Sequence, residues 1–270
     1  MTAPKVWLSR TGCSSGLGRA VAEYVLSKGD IAVATARKPE TLGDLRKQYP
    51  ESHLLVLKLD VTVESEIAAV FAKIKQTYGR LDVLYNNAAM GLVAEVESTP
   101  LDYAQKLEAV KFFREVNKPG VGGRVINASS MSGIQASPGV GFYAATKHAL
   151  EGLTEAIAQE LDPEWNIKVT ILVLGSYRTR GIDTTVVLPP PPACEKPTTG
   201  ANPTRNASKE AKLGLQDPNK AAAKIYELAY VADPPLRLPL GTGAIAFMKA
   251  KSAHLAEAAE KYASWSDNLN

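Results

Sequence analysis

The strongest constraint on the fold is an order of patterns. Short apolar runs suited to strands alternate with longer segments whose apolar residues recur at helical spacing. Val6-Trp7-Leu8, Ile31 to Thr35, Leu54 to Leu59, Leu81 to Tyr85, Arg124 to Ala128 and Ile167 to Val173 read as strands. Between them, Leu17, Ala20, Val21, Tyr24 and Val25 share one helical face, as do Ile67, Val70, Phe71 and Ile74 within Glu64 to Tyr78. A long helix is expected over Tyr143 to Leu161. This alternation predicts an α/β fold, a doubly wound parallel sheet covered on both faces, as a single domain over residues 1–270.

After Gly175 the regularity stops. Residues 182–217 hold Pro189-Pro190-Pro191-Pro192, several threonines and little periodicity, which predicts a long loop or lid at a substrate site. A helix over Pro218–Val231 resumes the pattern, so the segment is not a linker between domains. Leu236 to Leu240 reads as a final strand and Ala244–Ala263 as a last helix.

Bulk chemistry excludes several classes. With 31 basic against 28 acidic residues the net charge is +3, too balanced for a nucleic-acid surface. Cys13 and Cys194 build neither a disulfide framework nor a metal pattern, and His53, His148 and His254 form no spaced pair, so no metal is expected. No apolar run reaches the roughly 18 residues of a membrane helix. The N-terminus reaches a strand without a charged-then-apolar leader, so the Asn127 and Asn206 sequons carry no weight. The expectation is a cytoplasmic protein with no membrane or nucleic-acid partner.

Thr11-Gly12-Cys13-Ser14-Ser15-Gly16-Leu17-Gly18 lies between the first strand and the first helix. Glycines there let the backbone turn tightly against a pyrophosphate, and the helix start offers free N–H groups to it. A tight turn alone would also use glycine, but the strand-turn-helix setting favours a nucleotide, as in Rossmann-like folds. Cofactor choice is read at the end of the second strand. Ala36-Arg37-Lys38 stands where a carboxylate would accept the ribose hydroxyls of NAD, and two cations there favour the 2′-phosphate of NADP.

Tyr143 and Lys147 are four apart and share a helical face, with Ser130 thirteen residues before Tyr143 at a strand end. A phenol with a pKa of about 10 is a poor acid-base group at neutral pH, and a neighbouring ammonium favours its phenolate. The spacing alone is weak: Tyr24 and Lys28 repeat it in the first helix, where they read as core and surface. A polar strand cap is the plain alternative for Ser129 and Ser130.

The spacing Gly12-x-x-x-Gly16-x-Gly18, with Asp60-Val61, Asn86-Asn87-Ala88, Ser130, and Tyr143-x-x-x-Lys147 in order, resembles the short-chain dehydrogenase/reductase family, classical type, over essentially the whole chain. The tail Pro234-Pro235-Leu236-Arg237-Leu238-Pro239-Leu240-Gly241 gives it the look of a fungal member. The resemblance implies catalytic roles for Ser130, Tyr143 and Lys147. Tyr143 would exchange the proton with the substrate oxygen, Lys147 would hold the nicotinamide ribose and tune Tyr143, and Ser130 would hydrogen-bond the carbonyl or alcohol. It implies cofactor contacts at Gly12, Ser14, Ser15, Gly16, Leu17, Gly18, Arg37, Lys38, Asp60, Val61, Asn87, Ala88, Gly175 and Thr179, besides Tyr143 and Lys147.

Four departures from the family pattern stand out. The helix after Asn86-Asn87-Ala88, roughly Leu101 to Val116, is short by about a dozen residues, some three turns at 3.6 residues each. It would lose the asparagine that props a water relay to the lysine. By count that position falls near Lys111, and Asn117 sits too close to the Lys118-Pro119-Gly120 turn to substitute. Ala89 replaces a glycine beside the nicotinamide, Leu174-Gly175 replaces Pro-Gly, and Ser9-Arg10 puts a charge at a buried strand end. The expected activity is NADP(H)-dependent interconversion of an alcohol and a carbonyl, with a small-molecule substrate and a homo-oligomer weakened by the short helix. The alternative is an NADP-binding protein of the same fold with weak redox activity or non-redox chemistry.

Overall fold

A computed structural model describes residues 4–10, 12–87, 92–93, 108–179, 185–190, 192, 196, 200–210 and 215–267. Seven parallel strands form the main sheet. They are β1 (Val6–Arg10), β2 (Ile31–Ala36), β3 (Leu54–Lys58), β4 (Val83–Asn86), β6 (Gly123–Ala128), β7 (Ile167–Leu174) and β9 (Arg237–Leu240), in the order β3-β2-β1-β4-β6-β7-β9. Chain order reverses between β1 and β4, the place where doubly wound sheets leave a crevice at their strand C-termini. β5 (Leu92–Val93) and β8 (Val186–Val187) pair separately, in parallel.

Period-two alternation sends the strands' side chains to two cores. On one face Trp7, Ala32, Ala34, Tyr85, Ile126 and Leu172 pack with Leu17, Val21 and Val25 of α1 (Gly16–Ser27) and with Ala222 and Ile225 of a helix over Pro218–Leu228. On the other, Val6, Leu8, Val33, Leu84 and Val125 meet Ile67, Val70, Phe71 and Ile74 of α3 (Glu64–Tyr78) and Phe112 and Phe113 of α4 (Glu108–Glu115). A short helix, α2, spans Gly43–Gln48. α5 is Gly141–Glu160, α6 Asn202–Glu210, α7 Pro218–Leu228 and α8 Thr242–Lys261. Asp217 caps α7 by accepting from the Asn219 N–H at 2.9 Å, with Pro218 at the first helical position. Among the described residues no helix is long and apolar enough to cross a membrane.

The doubly wound parallel sheet is the one expected. The irregular segment over 182–217 is corrected in part: it carries α6 and the short strand β8. α6 reads Asn-Pro-Thr-Arg-Asn-Ala-Ser-Lys-Glu, and without an apolar stripe it left no periodic signal. The neck of the segment is closed by backbone bonds, Arg178 N–H to the Gln216 carbonyl at 2.9 Å and Gln216 N–H to the Ser176 carbonyl at 3.0 Å. Of the helix expected over Leu101 to Val116, Glu108–Glu115 is seen; its earlier part, with Ala88 and Ala89, lies outside the described residues.

Candidate active site

The glycine turn is built by close approach. Gly12 has φ +76° and Gly16 φ +62°, a region that disfavours side chains. A Cβ on Gly12 would lie 2.6 Å from the Asn87 Nδ2, and one on Gly18 would lie 2.8 Å from the same atom and from the Gly12 carbonyl oxygen. Asn87 thus plugs the turn from the end of β4, and the Tyr85 hydroxyl donates to its Oδ1 at 2.9 Å. On the other flank a Cβ on Gly16 would be 3.1 Å from that of Thr179. Ser14 and Ser15 are half-buried at the turn. Ser15 begins α1 without a side-chain capping bond, which leaves the first-turn N–H groups to an incoming anion. The Leu17 side chain lies in the core, 7% exposed, and anchors α1.

Arg37 and Lys38 are exposed just past β2, and the Leu59 N–H bonds the Ala36 carbonyl at 3.0 Å, so the ends of β2 and β3 run side by side. Asp60 accepts from the Thr62 N–H at 3.0 Å and the Thr62 hydroxyl at 2.8 Å, and these bonds, with Arg37 nearby, hold its carboxyl below the usual range. Val61 follows, half-buried against the second core.

Ser130, Tyr143 and Lys147 meet beyond the C-terminal end of β6. Ser130 is extended and accepts the Ser132 N–H at 3.1 Å, which starts a single 3₁₀ turn, Met131–Gly133. Tyr143 and Lys147 lie in the first turns of α5, where the Lys147 Nζ stands 5.7 Å from the centre of the Tyr143 ring. Burial pushes the Tyr143 phenol up, and hydrogen bonding with Ser130 pulls it down. The Lys147 ammonium, 6% exposed, donates to the Ala128 carbonyl at 2.7 Å. Burial lowers it to about 8, against an opposing pull from Glu151.

Gly175 donates its N–H to the Leu240 carbonyl at 3.0 Å, and Leu174 pairs with Leu240 between β7 and β9, so a leucine continues the ladder where a proline would end it. Arg10, 8% exposed, ends β1 beside Asn86. Asn86 donates to Asn127 at 2.7 Å, and Asn127 donates to Thr154 at 3.0 Å. Lys111 is exposed on α4. Asn117 is buried at the far end of the sheet, donating to the Leu81 carbonyl at 2.5 Å and the Gly122 carbonyl at 2.7 Å and accepting the Leu81 N–H at 3.0 Å. It pins a turn there. Among the described residues no group of His, Cys, Asp and Glu could hold a metal.

Two features of the site escape a reading by motif. One is Tyr85 behind Asn87. The other is Glu151, one helical turn past Lys147, whose signal is the same spacing of four that joins Tyr143 to Lys147.

Comparisons with known proteins bear on the family and the fold. A family model described as short chain dehydrogenase matches residues 8–185. An uncharacterized oxidoreductase, C162.03, of Schizosaccharomyces pombe is 33% identical over 263 residues, covering 93% of this chain and 87% of its own. Oxidoreductase calM of Penicillium decumbens is 34% identical, covering 93% of this chain and 88% of its own. A short-chain dehydrogenase structure from Streptomyces avermitilis superposes with a TM-score of 0.82 at 32% identity, covering 100% of each chain.

Proposed function

The chain belongs to the short-chain dehydrogenase/reductase family, and from that premise we propose that it interconverts an alcohol and a carbonyl by hydride transfer, with NADP(H) as its cofactor. The observation that carries the reading is the cluster of Ser130, Tyr143 and Lys147 at the C-terminal ends of strands that also carry the glycine turn. The cradle fits a dinucleotide: no side chain could be added at Gly12 or Gly18, and the start of α1 is open to a pyrophosphate. Arg37 and Lys38 would pair with a 2′-phosphate, which argues for NADP over NAD.

The cofactor supplies or accepts the hydride. The rest falls to the chain's own groups. In reduction, the Tyr143 hydroxyl gives its proton to the substrate oxygen, and Ser130 orients that oxygen by a hydrogen bond. The Lys147 ammonium would favour the phenolate left behind and would hold the ribose. The reverse reaction draws the alcohol proton onto the phenolate. The described part of the segment over 182–217 would serve as the substrate cover. Thr204 ties it to the loop before α5 by donating to the Pro138 carbonyl at 2.6 Å, and Arg205 donates within it to the Leu188 carbonyl at 2.7 Å.

A second reading, an NADP-binding protein of weak redox activity, is favoured by one observation. Lys111 is exposed, and Asn117 is committed to a turn at the opposite sheet end, so neither relays protons to Lys147. The experiment that tests the choice measures NADPH consumption against a panel of ketones and quinones alongside NADPH binding by fluorescence. Turnover supports the first reading; tight binding without turnover supports the second.

A further inference from the structure

Glu151 is a carboxylate in a core position. It is 4% exposed and lies on the buried face of α5. Burying a carboxylate is costly unless charged and hydrogen-bonding partners meet it. The Ser129 hydroxyl donates to its Oε1 at 2.6 Å, and the Arg237 Nε donates to its Oε2 at 3.1 Å. Arg237 also pairs closely with Glu155. Gly133 is packed against the arrangement: a Cβ there would fall 2.5 Å from the Glu151 Oε1 and the Ser129 Oγ, and 3.1 Å from the Lys147 Cβ.

Arg237 pairs with both Glu151 and Glu155, so two carboxylates share one guanidinium. The excess negative charge lies one helical turn from Lys147, whose hydrogen-bond partner, the Ala128 carbonyl, is neutral. Among the described residues, α5 presents Tyr143 and Glu151 to Lys147. β6 and the following turn present the Ala128 carbonyl and the hydroxyls of Ser129 and Ser130. β9 presents Arg237, which reaches Glu151.

We propose that Glu151 is a positioning residue for the reaction assigned above, and rests on that assignment: it clamps Ser129, and with it the strand end that carries Ser130, and it supplies the countercharge that keeps Lys147 an ammonium. Ser129 and Ser130 then have separate duties, the first turned inward to Glu151 and the second toward Tyr143. Arg237 holds the carboxylate in place from the last strand.

The test follows the Lys147 titration directly, by NMR of full-length protein labelled with ¹³Cε-lysine, with the Lys147 signal assigned through Lys147→Arg. Glu151→Gln keeps the shape and can still accept from Ser129, but it removes the charge. The Lys147 midpoint should fall by about one pH unit, the scale of a nearby opposite charge, and Glu151→Asp should recover most of it. The alkaline fall of kcat/KM for carbonyl reduction should move to lower pH in Glu151→Gln. An unmoved midpoint with only a lower melting temperature would make Glu151 a structural clamp and overturn the proposal. If Glu151→Gln does not fold, Arg237→Gln serves: removing that cation should raise the Lys147 midpoint, and an unchanged or lower midpoint overturns the proposal equally. The NMR readout needs no turnover, so an inactive parent would count against the assigned reaction and not against the role of Glu151.

Discussion

The Lys147 ammonium lies 5.7 Å from the centre of the Tyr143 ring, one helical turn along α5. Its own proton is held at about 8, well below the ordinary 10.5, because burial penalises the charge. Between about 8 and 10.5 the unfolded chain still binds this proton while the folded chain has lost it. Lys147 therefore makes a contribution to stability that rises with pH across that window. If Lys147 holds the cofactor ribose as proposed, NADPH binding should run the other way and weaken above about 8. Urea titrations at pH 8 and pH 10 on the native protein and Lys147→Met should show the difference between them shifting toward the native protein at the higher pH. A difference that does not change with pH contradicts this.

Glycine substitutions should separate contact from conformation. Gly12→Ala meets both a positive φ and the Asn87 amide at 2.6 Å, and overpacking of this kind costs about 1–3 kcal/mol. It should lower the melting temperature and weaken NADPH binding together. Gly152→Ala, exposed within α5 with nothing within 4 Å of the added Cβ, should stabilise by up to about 1 kcal/mol. Calorimetry and fluorescence titration check both.

Cofactor preference should reside in two exposed cations. Replacing Arg37 and Lys38 together by alanine should lower the ratio of NADPH to NADH affinity by roughly tenfold, since charge-assisted bonds of this kind are worth about 1.5–3 kcal/mol when partly shielded and less in water. The native preference should weaken as salt is raised. Equal affinities for the two dinucleotides in the native protein would remove the basis for the assignment.

Asn117 should matter to stability and not to catalysis. Asn117→Ala leaves the Leu81 N–H and carbonyl and the Gly122 carbonyl without their side-chain partner. Loss of such buried bonds costs about 1–3 kcal/mol. Its kcat at a temperature where the variant stays folded should match that of the native protein. A fall in kcat without loss of stability would mean that Asn117 reaches the proton path after all.

What the sequence made legible follows from the physics of each signal. β1, β2, β4 and β7 are buried runs with helices between them, so their order and the doubly wound sheet could be read from periodicity. The glycine turn was legible because Gly12, Gly16 and Gly18 each occupy a place where a side chain would collide or strain. α6 was not, because its sequence carries no apolar stripe, and the two-residue strands β5 and β8 are too short to show a period. Glu151 was hidden for a different reason: a lone acidic residue in a helix reads as a solvated one until Ser129, just past β6, and Arg237 of β9 are brought to it.

The most direct test of the account compares two tyrosines with the same local partner. Tyr24 also has a lysine four residues on, with the Lys28 Nζ 5.1 Å from its ring centre, but it packs edge-on against Tyr226 at 5.4 Å, away from Ser130. NADPH consumption with the best substrate from a ketone and quinone panel is measured for the native protein, Tyr143→Phe and Tyr24→Phe, with NADPH affinity followed in parallel. The account predicts that Tyr143→Phe loses turnover by about 10²–10⁴-fold while still binding NADPH, and that Tyr24→Phe turns over at close to the native rate. Turnover that survives Tyr143→Phe, or is lost with Tyr24→Phe instead, would contradict it.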